Sequence, residues 1–211
     1  MIVPALLTNN EGSFRRMVDK CASFADFIQI DIMDGEFVPS KSVGKEAIKN
    51  IKFPVPSEAH LMVKDPLGWV DLFKSAGSRR IIFHFEIGGG LLPVIEGIKQ
   101  KGLEVGIAIN PPTDISEFEY LTDKVDVFLF LSVNPGFYGS AFIPGVLDKI
   151  RDFKKRYPKK IVGIDGGVKL DNLKSIAQTC VDYICVGSAI MAQDAPAGAY
   201  LQFKKIVSPQ P

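Results

Sequence analysis

The stretch Ile28-Gln29-Ile30-Asp31-Ile32-Met33-Asp34-Gly35 combines a strand and a turn in eight residues. Three isoleucines alternate with Gln29 and Asp31, and this period of two is typical of a β-strand whose successive side chains face opposite sides. The pair Asp34-Gly35 then predicts a turn. Gln29 and Asp31 therefore lie on one face of a strand, close to its end, where polar side chains indicate a functional site.

The rest of the chain repeats a strand followed by a helix. Short apolar runs predict strands at 2–7, 27–32, 56–62, 80–85, 105–109, 125–133, 160–164 and 183–186. Segments with helical spacing lie at 14–24, 45–51, 67–76, 91–100, 115–121, 146–157, 170–178 and 199–206. Strict alternation favours parallel strands joined by crossover helices. Eight such units predict a single-domain α/β protein, a (β/α)8 TIM barrel spanning residues 1–211.

A doubly wound open sheet is the alternative architecture. That fold usually carries a glycine-rich dinucleotide loop after its first strand. The segment Thr8-Asn9-Asn10-Glu11-Gly12 lacks this pattern. The closed barrel is therefore the prediction.

Composition excludes several classes of function. The 211 residues carry a formal net charge of +1 with scattered basic residues, which disfavours a nucleic-acid partner. No apolar run approaches the ~20 residues that span a bilayer, and the first residues lack a signal-peptide pattern, so we expect a cytoplasmic protein with no membrane partner. Cys21, Cys180 and Cys185 lack the spacing of a metal site, so we expect buried thiols without a function.

Polar residues recur at the ends of the predicted strands. In a (β/α)8 barrel the carboxyl ends of the strands meet at the mouth that carries the chemistry. Such positions are occupied by Asp31, His60, His84, Asn110, Asn134 and Asp165. Either histidine alone could be a packed rim residue, but the whole set predicts an active site.

Glycine-rich loops follow the last three predicted strands, at 134–140, 165–168 and 186–189. Glycine lets backbone N–H groups approach an anion closely, and barrels commonly bind phosphate in the loops after strands seven and eight. A lone glycine would indicate no more than a tight turn. Three such loops in succession predict a phosphate site.

Several motifs, in order along the chain, resemble those of the ribulose-phosphate 3-epimerase family. They are Pro4-Ala5-Leu6-Leu7, Asp31-Ile32-Met33-Asp34-Gly35, His60-Leu61-Met62-Val63, Ser132-Val133-Asn134-Pro135-Gly136-Phe137, Asp165-Gly166-Gly167-Val168 and Gly187-Ser188-Ala189. The resemblance implies a (β/α)8 barrel, a phosphorylated pentulose substrate and a divalent metal in the barrel mouth. It is also compatible with a homo-oligomer.

Inversion of a carbon beside a carbonyl needs two acid–base groups, because a proton leaves one face and another arrives on the opposite face. The resemblance implies that Asp31 and Asp165 are these two groups. A turn or cap role is the alternative for each of them. Asp34, which precedes Gly35, is interpreted as a turn residue only.

The resemblance further implies a metal site of two histidines and two aspartates. Asp31, His60 and Asp165 match three of these ligands, with zinc as the expected ion and iron, manganese, cobalt or magnesium as alternatives. Gln29 occupies the fourth position, where an amide oxygen is a weaker zinc ligand than imidazole. Weak metal binding, a preference for a harder ion and no metal at all are the three outcomes left open.

The remaining site residues are also implied by the resemblance. Met33 and Met62 match residues that cover the reacting carbon, with core packing as the alternative. Ala5, Leu131 and Tyr138 depart from the family pattern, and His84 is interpreted as a rim residue. Substrate and phosphate contacts are expected from His60, Gly136, Phe137, Tyr138, Gly139, Gly166, Gly167, Gly187 and Ser188.

Three functions are compatible with these residues. The first is an epimerase that interconverts D-ribulose 5-phosphate and D-xylulose 5-phosphate through a metal-stabilised enediolate, which the retention of both aspartates favours. The second is an epimerase of another ketose phosphate, such as a hexulose 6-phosphate. Ala5, Gln29 and Tyr138 would then belong to a pocket remodelled for that substrate. The third is a phosphosugar-binding protein with impaired catalysis, which would bind phosphate esters without metal-dependent turnover.

Overall fold

Eight parallel strands form a closed barrel in the part of the chain that the computed structural model describes, residues 1–136 and 140–208. The strands are β1 (Ile2–Leu6), β2 (Ile28–Met33), β3 (Ser57–Met62), β4 (Arg80–His84), β5 (Glu104–Ile109), β6 (Val127–Leu131), β7 (Ile161–Asp165) and β8 (Tyr183–Val186). Each strand pairs with the next in sequence, and β8 closes on β1, where Val3 lies opposite Cys185. The predicted (β/α)8 barrel is confirmed.

Helices alternate with these strands around the outside of the barrel. In the described residues they are α1 (Glu11–Ala22), α2 (Lys45–Lys49), α3 (Leu67–Ala76), α4 (Leu91–Gln100), α5 (Ile115–Phe118), α6 (Val146–Arg156), α7 (Leu173–Ala177), α8 (Ser188–Met191) and α9 (Pro196–Val207). Short 3-10 helices cover Phe85–Ile87 and Glu119–Leu121. None of the helices formed by the described residues has both the length and the apolar content needed to cross a bilayer.

Side chains of each strand alternate between two cores. Ile28, Ile30 and Ile32 of β2 belong to the large core between the barrel and the helices. A smaller apolar cluster contributed by β1, β4, β5, β6 and β8 fills the inside of the barrel. Gly163 of β7 leaves space inside the barrel for the ring of Tyr183, because a Cβ at this position would collide with that ring. Gln29 and Asp31, which alternate with the isoleucines, therefore point into the barrel.

Several predicted helix bounds are corrected by the structure. Helix α1 begins at Glu11 rather than residue 14, because the Asn10 side chain accepts a hydrogen bond from the Ser13 backbone N–H at 2.8 Å and caps the helix. Helix α9 begins at Pro196 rather than residue 199, since proline lacks the N–H that a first helical turn leaves unpaired. Helix α7 begins only at Leu173, because Asn172 accepts from the Lys169 backbone N–H in a preceding turn.

The remaining corrections concern short elements. The strand predicted at 80–85 ends at His84, where the first 3-10 helix begins. Helix α8 was not predicted, because its four residues are too few for a period of 3.6 to be visible in the sequence. The strand predicted at 125–133 is confined to Val127–Leu131.

Turn chemistry accounts for two further outcomes. Asp34 is the turn residue that was predicted, since its carboxylate accepts from the backbone N–H groups of Glu36, Phe37 and Lys64 at 2.7 to 2.9 Å. The expectation of a buried thiol is wrong for Cys180, which is exposed. Its backbone takes a φ of +61° between α7 and β8, and the side chain faces solvent at this turn. Cys21 and Cys185 are buried as expected.

Candidate active site

Three ionisable side chains converge at the carboxyl ends of β2, β3 and β7. Asp31 lies opposite His60 in the register of β2 with β3, and Asp165 is the last residue of β7. The ligand atoms of Asp31, His60 and Asp165 all lie within 4.8 Å of one another. Each aspartate is 8% exposed and the histidine 1%, so the group is buried but open on one side. The structure thus brings together residues that lie far apart in the sequence.

The imidazole of His60 lies between the two carboxylates. Its Nδ1 is 3.1 Å from Asp31 Oδ1 and 3.3 Å from Asp165 Oδ2. Burial alone would lower the pKa of His60, but the hydrogen bonds and charges of Asp165 and Asp31 raise it to about 10. Burial also raises the pKa of Asp31, against the hydrogen bond from His60. One acid is therefore held in a setting that favours its protonated form.

His84 lies behind His60 rather than inside the cluster. The two Nε2 atoms are 3.0 Å apart, and His84 Nδ1 is 3.4 Å from Glu86 Oε2. Burial lowers the pKa of His84 to about 4, so its ring is neutral near pH 7. A neutral ring can accept a hydrogen bond from the Nε2–H of His60, which orients that imidazole with Nδ1 toward the carboxylates. This agrees with the interpretation of His84 as a rim residue.

The other two predicted rim residues lie apart from this cluster. The Asn110 backbone N–H donates to Glu86 Oε1 at 2.9 Å, and its side chain interacts with His84 rather than with His60. Asn134 is exposed to solvent. Neither therefore belongs to the group that converges on His60.

Gln29 lies deeper in the barrel than the two aspartates and is fully buried. Its Nε2 donates to Asp31 Oδ1 at 2.8 Å and to Asp165 Oδ2 at 2.7 Å. Its Oε1 accepts from the thiol of Cys185 at 3.0 Å. No sequence pattern connects Cys185 with this site, because the contact spans 156 positions and depends on the strand register.

A pocket opens above the cluster and is lined by Asp31, His60 and Asp165. Its apolar wall includes Met33 and Met62, which pack with Val38 in a small cluster of their own. Ala5 and Leu131, two of the positions that depart from the family pattern, line the same pocket. Two predicted methionine positions and two altered positions therefore border one cavity.

The predicted phosphate loops border the other side of this pocket, through Gly136, Gly166, Gly167, Gly187 and Ser188. Gly166 has a φ of +107°, and a Cβ there would lie 2.5 Å from Val133, so only glycine suits this position. The loop is tied down by Ser132, whose hydroxyl donates to the Gly166 carbonyl at 2.6 Å. Phe137, Tyr138 and Gly139, which are also predicted phosphate contacts, lie outside the described residues.

Lys169 was missed by the sequence analysis. It follows the Asp165-Gly166-Gly167-Val168 motif and lines the pocket beside the glycine loops. A lysine directly after a predicted phosphate loop is the signal that could have indicated it.

The donor set at the mouth fits a divalent cation. Two carboxylates and one imidazole are ligand types that zinc and its neighbours accept, and three protein ligands leave coordination positions open for a substrate. The buried group Asp31, His60 and Asp165 could hold such an ion, since their ligand atoms lie within 4.8 Å of one another.

A family model and curated relatives that match this chain all carry the name of one family. Residues 1–191 match the model of the Ribulose-phosphate 3 epimerase family. The chain is 37% identical over 204 residues to the ribulose-phosphate 3-epimerase of Serratia marcescens, covering 92% of this chain and 96% of that protein. It is 38% identical over 213 residues to ribulose-phosphate 3-epimerase 1 of Cupriavidus necator, covering 93% and 87%.

Solved structures with more distant sequences share the fold. A 3-hexulose-6-phosphate synthase from Salmonella typhimurium superposes with a TM-score of 0.73 at 19% identity, covering 98% of this chain and 97% of that one. KGPDC from Streptococcus mutans superposes with a TM-score of 0.70 at 16% identity, covering 98% and 96%. At these identities the likeness concerns the barrel alone.

Proposed function

The chain belongs to the ribulose-phosphate 3-epimerase family, and on that premise we propose that it interconverts D-ribulose 5-phosphate and D-xylulose 5-phosphate. It is thus a carbohydrate-phosphate epimerase, an isomerase. The observation that carries the proposal is the pair of carboxylates, Asp31 and Asp165, which reach the same His60 nitrogen at the mouth of one barrel.

Two carboxylates supply the proton transfers of an epimerisation at C3. One aspartate takes the C3 proton, and the electron pair of the C–H bond moves toward the C2 carbonyl, which gives an enediolate. The other aspartate, in its acid form, gives a proton to the opposite face of C3 while the carbonyl re-forms. Burial raises the pKa of Asp31, which suits a carboxyl group that must carry a proton near neutral pH.

A divalent ion held by Asp31, His60 and Asp165 would supply Lewis-acid stabilisation of the negative charge that develops on the substrate oxygens. Zinc is the ion proposed, with iron, manganese, cobalt and magnesium as alternatives. The residues themselves keep the two carboxylates close together and, through His84, hold His60 in one orientation.

The opposite side of the pocket would bind the phosphate group. We assign this role to the backbone N–H groups of Gly136, Gly166, Gly167 and Gly187 and to the Ser188 hydroxyl, which line the pocket. Met33 and Met62 would cover the reacting carbon and exclude water. The contributions of Phe137, Tyr138 and Gly139 stay predictions, as do a cytoplasmic location, a homo-oligomeric assembly and the absence of a nucleic-acid partner.

One observation favours a second candidate. Ala5 and Leu131 both line the pocket at positions where the sequence departs from the family pattern. A changed wall is compatible with an epimerase of another ketose phosphate, such as a hexulose 6-phosphate, or with a phosphosugar-binding protein of low activity.

The test compares substrates directly. Purified protein, reconstituted in turn with zinc, manganese, cobalt and magnesium, is given D-ribulose 5-phosphate or a hexulose 6-phosphate, and products are identified by NMR. Formation of D-xylulose 5-phosphate with the higher kcat/KM supports the proposal. Preferential epimerisation of the hexulose phosphate supports the second candidate. Phosphate-ester binding without conversion under any metal would contradict both enzymatic functions.

A further inference from the structure

The orientation of the Gln29 side-chain amide is determined by what surrounds it. Nε2 lies between Asp31 Oδ1 at 2.8 Å and Asp165 Oδ2 at 2.7 Å. At most one of the two carboxyl groups carries a proton in the proposed mechanism, so at least one of them can only accept hydrogen bonds. An amide nitrogen carries two donors and an amide oxygen none. The NH₂ group must therefore face the two aspartates, with one N–H available for each.

The other end of the amide is held as well. Oε1 lies 3.0 Å from the Cys185 sulfur, and a thiol is a hydrogen-bond donor. The reversed amide would place its oxygen against two carboxyl groups, of which at least one cannot donate, and would turn its NH₂ group away from both acceptors. The carbonyl consequently points away from the centre, into the barrel.

The two carboxylate oxygens that Gln29 contacts are the same ones that His60 contacts. Asp31 Oδ1 and Asp165 Oδ2 lie 3.1 and 3.3 Å from His60 Nδ1, on the side of β3. Gln29 reaches both oxygens from β2 and is fully buried, while each aspartate is partly open to the pocket. Two donors from neighbouring strands thus hold one pair of oxygens, and the deeper donor is Gln29.

We propose that Gln29 is a positioning residue, which spaces the two proton-transferring carboxylates by donating one N–H to each, with Cys185 fixing the amide. It is then not a fourth ligand, and a bound metal has the three protein ligands Asp31, His60 and Asp165. The inference rests on the proposed function for the chemistry that the two aspartates perform. It assigns Gln29 and Cys185 roles that the family resemblance does not imply for this chain.

The position of the Gln29 amide relative to a bound metal ion is tested in the metal-loaded protein. Crystals of the zinc- or manganese-loaded protein give the distance from the ion to the Gln29 amide, with anomalous scattering locating the ion. A positioning residue keeps its amide more than about 3 Å from the ion and on the two aspartates, whereas a ligand would lie roughly 2.0–2.2 Å away. The shorter distance would overturn the inference. This readout needs no turnover, so it stands even where D-ribulose 5-phosphate proves not to be the substrate.

A pair of substitutions tests the donor role at saturating metal. Gln29→Leu removes both donors, and Gln29→Glu keeps the shape but offers only acceptors. We expect both to lower kcat by roughly 10- to 100-fold with KM changed less than about threefold, since misplaced catalytic groups slow the chemical step. A ligand role predicts different effects for the two variants, because glutamate is a stronger oxygen ligand than glutamine whereas leucine offers no ligand atom. Activity retained by Gln29→Glu and lost in Gln29→Leu would contradict the inference.

Substitutions of Cys185 test the anchor without touching Gln29. Cys185→Ala should lower kcat by roughly three- to tenfold, and Cys185→Ser, whose hydroxyl can still donate to the amide oxygen, should restore most of it. The matched control is Cys21→Ala, because that buried thiol lies on α1 and contacts Met191 instead. Equal kcat for all three variants and wild type would overturn the role of Cys185. If Cys185→Ala and Cys185→Ser have the same unfolding temperature, their difference in kcat arises from the position of the Gln29 amide and not from a loss of stability.

Discussion

Each end of the barrel encloses a cluster of buried ionisable groups, and the two clusters differ in how their charge is balanced. At the amino-terminal end, Arg80 donates to Glu58 Oε2 at 2.8 Å and to Glu104 Oε2 at 2.8 and 3.0 Å. At the mouth, Asp31 and Asp165 share the imidazole of His60. Both clusters draw on β3, where Glu58 and His60 are two positions apart and face the same interior.

The amino-terminal cluster carries its own permanent cation, and its Glu104 is partly exposed. Glu58 is fully buried, and burial raises its pKa to about 7 even against the charge of Arg80. The guanidinium donates to carboxylates on two strands, Glu58 on β3 and Glu104 on β5. We expect this cluster to contribute to the stability and register of β3, β4 and β5.

The cluster at the mouth has two acids, one titratable base and a pocket above it. Its positive partner is an imidazole rather than a guanidinium, and imidazole can release its proton or bind a metal. Buried charge alone therefore does not identify an active site in this barrel. The candidate active site is distinguished by two acids and one base that line a pocket at the carboxyl ends of the strands.

The largest expected effect is on catalysis at the mouth. Asp165→Asn removes one acid–base group and should lower kcat by roughly 1,000-fold or more. Binding of inorganic phosphate, measured by titration calorimetry, should change less than about threefold, because the glycine loops are intact. Equal loss of phosphate binding and turnover would argue against an acid–base role for Asp165.

At the amino-terminal end we expect a large loss of stability with little loss of activity. Arg80→Leu leaves Glu58 buried without a partner and should lower the free energy of unfolding by about 3–5 kcal/mol, measured by urea unfolding. The matched control is Arg79→Leu, whose exposed side chain pairs with the same Glu104 and should cost less than about 1 kcal/mol. The kcat of folded Arg80→Leu should stay close to that of wild type. A variant with normal stability and lost turnover would contradict the division of roles.

A smaller effect is expected on metal binding. Gln29→His places an imidazole at the position where the resemblance implies a fourth ligand, and we expect its affinity for zinc to rise about tenfold or more, roughly 1.4 kcal/mol. Competition with a chromophoric chelator measures this affinity. Unchanged affinity would show that this position does not limit metal binding.

The smallest effect is expected at the edge of the pocket. Lys169→Ala removes a positive charge beside the glycine loops and should raise KM for the phosphorylated substrate by roughly three- to tenfold, with kcat little changed. The increase should shrink at high salt, because the interaction is screened. Lys174→Ala, on helix α7, is the matched control, and equal KM values for the two variants would show that Lys169 does not contact the phosphate.

The barrel and the convergence of Asp31, His60 and Asp165 at its mouth could be predicted from the sequence, because strands and their ends leave local patterns. Short apolar runs identified the strands, and the rule that chemistry lies at carboxyl ends selected six positions, among them Asp31, His60 and Asp165. The resemblance to the epimerase family then singled out these three. The orientation of Gln29 could not be predicted, since it depends on Cys185 and Asp165, which reach it only through the barrel closure. The ion pairs of Arg80, on β4, likewise depend on register, because their partners Glu58 and Glu104 come from β3 and β5.

Hydrogen exchange at C3 tests the central claim that Asp31 and Asp165 act from opposite faces of one carbon. In deuterated water, wild-type protein should place deuterium at C3 of both D-ribulose 5-phosphate and D-xylulose 5-phosphate while converting one into the other. Asp31→Asn and Asp165→Asn should each lose conversion. Because each variant keeps an aspartate on one face only, any remaining C3 hydrogen exchange should occur in one epimer for Asp31→Asn and in the other for Asp165→Asn. Conversion by a variant with one aspartate, or conversion by wild type without deuterium at C3, would contradict the two-carboxylate account.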